Sequence, residues 1–276
     1  MPLSGFGGIS TFSAVPAISP RRLKQDLADL FEALPDEDHY ARLLDDLLDR
    51  YADRTYRKAE SGRPGSLLQA YHVSRPVLRG VEVDLGRYAA DAPEAALALA
   101  DRLWSKPLFE PKYLAARFIG ALPAESARAI MERLASWLAE TDDEELQIEL
   151  VRVGLAVDEA GLSALIEALM DVGGDGYRTA LSALGAVART APSESLPGIY
   201  RLFGKALEDP GSDRTARLLH VARGLAERSP VETAYFLRHQ YLLSMRPEVA
   251  RILRQVLPLF PDQLRKDIRL VMKENQ

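Results

Sequence analysis

The sequence contains no cysteine, which excludes disulfides, thiolate catalysis and zinc–thiolate sites. Histidine is scarce as well, because the chain has four and none of them forms a close pair of the kind that binds a metal. We therefore expect neither a metal nor a cofactor. No segment approaches the roughly 18 to 20 consecutive apolar residues that cross a bilayer, so we expect no membrane partner.

A large excess of charge of one sign is also missing. The 35 lysine and arginine residues oppose 40 aspartate and glutamate residues, and the net charge is -5. The charges are mixed along the chain, so no basic tail indicates a nucleic-acid partner. DNA binding would therefore require positive side chains gathered on one face of the folded protein. Residues 1–18 lack the pattern of a secretory signal, which predicts a mobile N-terminal tail and a cytoplasmic protein.

Helical periodicity is present from the end of this tail onward. Ser19 and Pro20 suit a helix start, and apolar residues then recur at helical spacing through two segments that predict an N-terminal helical pair over residues 19–60. A stretch rich in glycine, proline and serine follows, and it predicts a linker over residues 61–73.

The same two-helix unit recurs after the linker. First helices are predicted to start near residues 74, 110, 142, 175, 212 and 246, and second helices near residues 93, 124, 159, 192, 230 and 261. A period of about 30 to 47 residues built of helix pairs is typical of an α-solenoid. The sequence therefore predicts an all-α fold, in which residues 74–276 form a solenoid of HEAT-like antiparallel helix pairs, with Trp104 in the core.

Several motifs in this region resemble one family. Residues 99–120 contain a helix that ends in Leu103 and Trp104, then Glu110, then an alanine- and leucine-rich helix. Further matching segments lie at residues 71–79, at Tyr177 and Arg178, and at residues 220–237. In order and spacing, these motifs are similar to those of AlkD-type DNA alkylation-repair proteins, over roughly residues 65 to 260.

The resemblance implies a HEAT-like solenoid that holds duplex DNA in a concave groove. Active members of the family release cationic alkylated purines without metal or cofactor, using a carboxylate beside aromatic side chains. The present chain lacks the family's tryptophan and aspartate on the helix near residue 145, and His220 aligns with its later tryptophan. Glu145 and Glu149 are the candidate catalytic carboxylates, with Glu149 the better match. We expect weak or no glycosylase activity.

Basic residues supply the candidate contacts to DNA. Arg178, Arg217, Arg223 and His220 lie on predicted solenoid helices, where they would bind phosphates if they face the groove. The alternative for the arginines is a solvated position beside a carboxylate, and for His220 it is a packed, hydrogen-bonded position. Two functions remain open at this point: a DNA-binding protein of the alkylation-repair family, or a HEAT-repeat scaffold that binds a protein partner.

Overall fold

A computed structural model describes residues 19–34, 36–54, 68–208, 211 and 214–274. The predicted tail over residues 1–18 and most of the predicted linker lie outside these ranges. The described residues form α-helices and three short 3-10 turns, and their sole β-type pairing is an isolated bridge between Gln69 and Leu108. The all-α fold class is therefore confirmed. In the described part of the chain, no helix is both long and apolar enough to cross a membrane.

The helices follow one another with short connections. Their bounds are α1 (Pro20–Glu32), α2 (Glu37–Arg50), α3 (Arg75–Asp91), α4 (Pro93–Trp104), α5 (Phe109–Ile119), α6 (Ala127–Glu140), α7 (Glu144–Val172), α8 (Gly174–Thr190), α9 (Leu196–Glu208), α10 (Thr215–Arg228), α11 (Pro230–Ser244), α12 (Pro247–Val256) and α13 (Asp262–Glu274). Non-helical backbone angles at Asp158 divide α7 into two arms. The six predicted first-helix starts lie within three residues of those observed.

Local chemistry explains where the helices begin. Proline occupies one of the first two positions of α1, α3, α4, α11 and α12, where its missing N–H costs no helical hydrogen bond. Aspartate caps two other helices: Asp36 accepts a hydrogen bond from the His39 N–H at 2.9 Å, and Asp143 accepts one from the Leu146 N–H at 3.0 Å. Asp143 thus satisfies a free N–H group in the first turn of α7.

Alternate helices pack against one another in two layers. The first-helix layer consists of α1, α3, α5, the first arm of α7, α8, α10 and α12, and the second-helix layer consists of the remaining helices with the second arm of α7. Within the first layer α3 packs on α1 and α5, α7 on α5 and α8, and α10 on α8 and α12. In the second layer α9 packs on α7 and α11, and α11 packs on α13. One connected apolar core lies between the layers.

Trp104 joins three helices in this core. Its side chain is 3% exposed, and its ring stacks on Trp137 of α6 with 4.4 Å between ring centroids. The indole N–H donates to Glu140 at 2.9 Å, and the ammonium of Lys112 lies 4.3 Å from the Trp104 ring centroid. The prediction that Trp104 packs in the core is confirmed, and its polar edge and ring face are both occupied by other parts of the protein.

The end of the predicted linker, residues 68–73, is fixed to α5. The carboxylate of Glu110, which is 2% exposed, accepts hydrogen bonds from the backbone N–H groups of Tyr71 at 3.0 Å and Val73 at 3.4 Å. The Phe109 N–H also donates to the Gln69 carbonyl at 2.9 Å. Glu110 therefore has a structural role, because it satisfies backbone donors that the core hides from water.

We expect Glu110→Gln to destabilise the protein by about 1 to 3 kcal/mol, because one of the two backbone donors then faces an NH₂ group instead of an oxygen. Urea unfolding followed by circular dichroism measures this free energy. Glu125→Gln, at an exposed position before α6, is the matched control and should leave stability unchanged. Equal stability of the two variants would show that Glu110 does not hold residues 68–73.

Candidate functional site

A charged cluster crosses the first-helix layer from α3 to α7. Arg117 of α5 lies between two carboxylates, 3.4 Å from Glu82 of α3 and 3.4 Å from Glu149 of α7. Arg152, one turn after Glu149, forms a second ion pair with it. Glu149 is buried, whereas Arg152 is half-exposed. The cluster therefore contains a buried carboxylate held by two guanidinium groups.

Tyr113 of α5 adds an aromatic side chain to this cluster. The pKa of Tyr113 is raised, first by burial of the phenol and then by the negative charges of Glu149 and Glu82. Tyr113 thus supplies an aromatic side chain near Glu149, although α7 has no aromatic residue close to Glu149 in sequence. Sequence reasoning missed Tyr113 and Arg117 as neighbours of Glu149 because they come from a different helix pair.

The two predicted catalytic carboxylates have different surroundings. Glu145 lies exposed in the first turn of α7, and Glu149 lies buried one turn later. Two arginines balance the charge of Glu149, so little of its field remains to stabilise a separate positive charge. The arrangement suits an ion-paired structural carboxylate better than a free catalytic anion.

A second polar cluster joins α7, α8 and α10. Arg189 of α8 forms an ion pair with Glu144 at 2.9 Å and a hydrogen bond with the ring of His220. Because arginine can only donate, the His220 nitrogen that faces it is an acceptor. Gly185 makes room for the ring, since a Cβ atom there would lie 2.7 Å from Cδ2 of His220.

The environment of His220 favours its neutral form. Burial of the ring lowers the pKa of His220, and the positive charge of Arg189 lowers it further. Glu144 lies 3.9 Å from the ring and opposes this effect in part. The geometry agrees with the packed, hydrogen-bonded alternative for His220, and a contact of His220 with DNA stays a prediction.

The predicted DNA-binding arginines divide into paired and unpaired side chains. Arg178 forms an ion pair with Asp175 in the first turn of α8. Within the described ranges, neither Arg217 nor Arg223 of α10 has a carboxylate partner, and Arg223 is exposed.

The adjacent helix extends this set. Arg251 and Arg254 of α12, which packs on α10, are exposed and have no carboxylate partner among the residues that the structure describes. Two neighbouring helices of the first-helix layer therefore carry four arginines without a carboxylate partner among the described residues. We call Arg217, Arg223, Arg251 and Arg254 the arginine group.

The arginine group belongs to a basic end of the chain. Residues 214–276 contain 12 lysine and arginine residues against 6 aspartate and glutamate residues, a net charge of +6, and residues 1–213 carry a net charge of -11. The mixed charge predicted from whole-chain totals is therefore wrong for this region. Counting charges segment by segment would have found the asymmetry, which is typical of anion-binding regions.

Comparison with known proteins assigns no family to the chain. No protein-family model matches it, and no curated protein matches it. A crystal structure of an engineered protein matches at 17% sequence identity, over 88% of this chain and 97% of the other, with a TM-score of 0.36. A TM-score this low does not show a shared fold.

Across the described ranges no three histidine, aspartate or glutamate side chains are grouped to hold a metal ion.

We expect His220 to make the stability of the protein depend on pH. Its lowered pKa means that the unfolded chain binds a proton more readily than the folded chain below about pH 6.5. The stabilisation that depends on neutral His220 is therefore complete above about pH 6.5, and it declines as the pH falls below this value.

Urea unfolding at about pH 7.5 and about pH 5.5 tests this dependence. His220→Gln, which cannot be protonated, should lose less stability on acidification than the unsubstituted protein. His39→Gln, at an exposed position of α2, is the matched control and should behave as the unsubstituted protein does. The interpretation is wrong if His220→Gln and the unsubstituted protein lose equal stability.

Proposed function

We propose that this chain is an α-solenoid of HEAT-like helix pairs, related to AlkD-type DNA alkylation-repair proteins, and that it binds duplex DNA through the phosphate backbone. The two layers support the solenoid, because each helix pair packs on the pairs before and after it. The motifs around Trp104 and His220 support the relationship to the repair family.

The observation that carries the DNA proposal is the arginine group on α10 and α12. Arginine binds phosphate through a planar fork of donors, and an arginine without a carboxylate partner gives up no ion pair when it does so. Four such side chains on two packed helices suit a ligand with many phosphates better than a single small anion.

The charge distribution also supports one location for the proposed DNA binding. Between α3 and α8, Arg117 and Arg189 are engaged by Glu82, Glu149 and Glu144, so a DNA strand bound there would meet buried or paired carboxylates. The basic end, residues 214–276, attracts phosphates instead. Duplex DNA therefore binds across α10 and α12, and the rest of the first-helix layer contributes less.

We propose that catalysis of base release is weak or absent. Stabilising an oxocarbenium-like sugar requires an anion whose field is directed at the sugar in a site that excludes water. Glu149 is buried and neutralised by Arg117 and Arg152, and Glu145 is exposed on a solvated surface. The protein in this proposal recognises DNA without an efficient chemical step.

The combined Arg217→Ala and Arg223→Ala variant should bind duplex DNA about tenfold or more weakly, because each lost phosphate contact involves a charged donor. The loss should be similar for two unrelated duplex sequences, since phosphates carry no base information. Fluorescence anisotropy with labelled duplexes measures the dissociation constants. Arg102→Ala, which removes an ion-paired arginine of the second-helix layer, is the control and should change little. Equal affinities of the double variant and the control would contradict the proposed surface.

Incubation of excess protein with duplex DNA that carries a defined methylated purine should release little or no base. Abasic sites counted over time measure the release. Efficient release that Glu149→Gln abolishes would overturn the proposal and make Glu149 catalytic. Release that neither Glu145→Gln nor Glu149→Gln affects would show that the reaction uses other residues.

A scaffold for a protein partner is the second candidate function. The net charge of -11 over residues 1–213 favours it, because an acidic surface repels DNA and attracts basic protein segments. Absence of any anisotropy change with duplex DNA at low salt would favour this candidate over the first.

A further inference from the structure

The outer surface of the second-helix layer changes character at α11. On earlier helices, ion pairs connect neighbours: Arg102 of α4 bonds Asp38 of α2 at 2.6 Å, and Lys205 of α9 bonds Asp171 of α7 at 2.8 Å. On α11 apolar side chains take the place of these charges. Those exposed on or directly after this helix are Val231, Tyr235, Leu242, Leu243 and Met245.

Three of these residues form a stripe along one side of α11, and Leu243 lies on the adjacent side of the helix. Val231, Tyr235 and Leu242 are spaced by four and seven residues, which places them on the same helix face. The opposite face is buried and contains Ala234, Leu237 and Tyr241 among its residues. Tyr235 is 56% exposed and Leu243 is 68% exposed. A row of large apolar side chains on a solvent-exposed surface is typical of an interaction site.

The charges at the two ends of the stripe indicate what covers it. Glu232 lies exposed in the first turn of α11, and Arg246 lies exposed just beyond its last turn, with no carboxylate partner in the described part of the chain. Both residues are seven positions from His239. If two α11 helices pair antiparallel about a two-fold axis at His239, Glu232 of each copy lies level with Arg246 of the other.

The same axis matches the apolar residues. Tyr235 and Leu243 are each four positions from His239, so Tyr235 of one copy lies level with Leu243 of the other. Antiparallel packing also sets the positive end of one helix dipole beside the negative end of the other. A surface with acidic and basic ends, and with an apolar residue on each side of the central His239, is self-complementary, as a two-fold interface requires.

We propose that a second copy of this chain covers the apolar stripe of α11 and that the protein forms a two-fold dimer. The neighbouring α13 exposes Lys266, Arg269 and Lys273, and like charges repel across such an axis. The interface is therefore centred on α11, and its small size makes the dimer weak and dependent on concentration. Because the second-helix layer forms it, the proposal does not depend on DNA binding by the first-helix layer.

Sedimentation equilibrium over a range of protein concentrations tests the dimer. The apparent mass should rise from 30.5 kDa toward twice that value as the concentration increases. Leu243→Asp should keep the protein monomeric, because it places a charge in the middle of the interface. Val83→Asp, at a 48% exposed position of α3, is the matched control and should dimerise normally. A constant mass of one chain at the highest soluble concentration would overturn the proposal and leave the stripe to another partner.

Charge exchange tests the antiparallel arrangement. Glu232→Arg and Arg246→Glu should each weaken the dimer, and the two substitutions together should restore it, because the exchanged charges again meet opposite charges. Circular dichroism melting of each variant checks folding, since Glu232 also accepts a hydrogen bond from the Ser229 hydroxyl at 2.7 Å. A combined variant that dimerises no better than either single variant would contradict the pairing of Glu232 with Arg246.

Discussion

The close contact between α8 and α10 is the constraint on which the charged outer surface depends. Glycine allows it on both helices: a Cβ atom at Gly185 would lie 2.7 Å from the His220 ring, and one at Gly224 would lie 2.9 Å from Cγ of Arg189. Each glycine leaves room for a side chain of the other helix, so His220 packs against Gly185 and Arg189 packs against Gly224. Arg223 of α10 is exposed, whereas Arg228 of the same helix donates to the Ala188 carbonyl of α8 at 3.2 Å. A larger residue at Gly224 would separate the helices and displace the arginines that we assign to DNA.

The ion pairs of the first-helix layer divide it into two regions with different uses. Between α3 and α8, Arg117 and Arg189 pair with carboxylates of neighbouring helices, and such pairs contribute to helix register more than to binding. On α10 and α12 the arginine group lacks these partners, so its charge is available to a ligand. The layer thus combines a region with internal ion pairs and a region whose arginine group we propose to bind an anion. The second-helix layer shows the same transition from ion pairs to an unpartnered surface at α11.

The helices were predictable because their signals are local. Proline and aspartate at helix starts depend only on neighbouring positions, and the repeat of 32 to 37 residues between first helices is visible in the sequence itself. The candidate site was less predictable, because Arg117 and Glu149 meet across 32 residues and Tyr113 joins them from the same distant helix. Burial of Glu149 beside an exposed Glu145 depends on the angle at which α7 packs, which periodicity does not fix. The basic end was readable from the sequence, but whole-chain charge totals concealed it.

The salt dependence of duplex DNA binding tests the central claim most directly. If the four members of the arginine group neutralise four phosphates, the logarithm of the association constant should fall against the logarithm of salt concentration with a slope of about -3 to -4. Anisotropy titrations of the unsubstituted protein at several salt concentrations give this slope. A measurable affinity that hardly changes with salt, or no binding at low salt, would contradict the assignment of the arginine group to DNA phosphates.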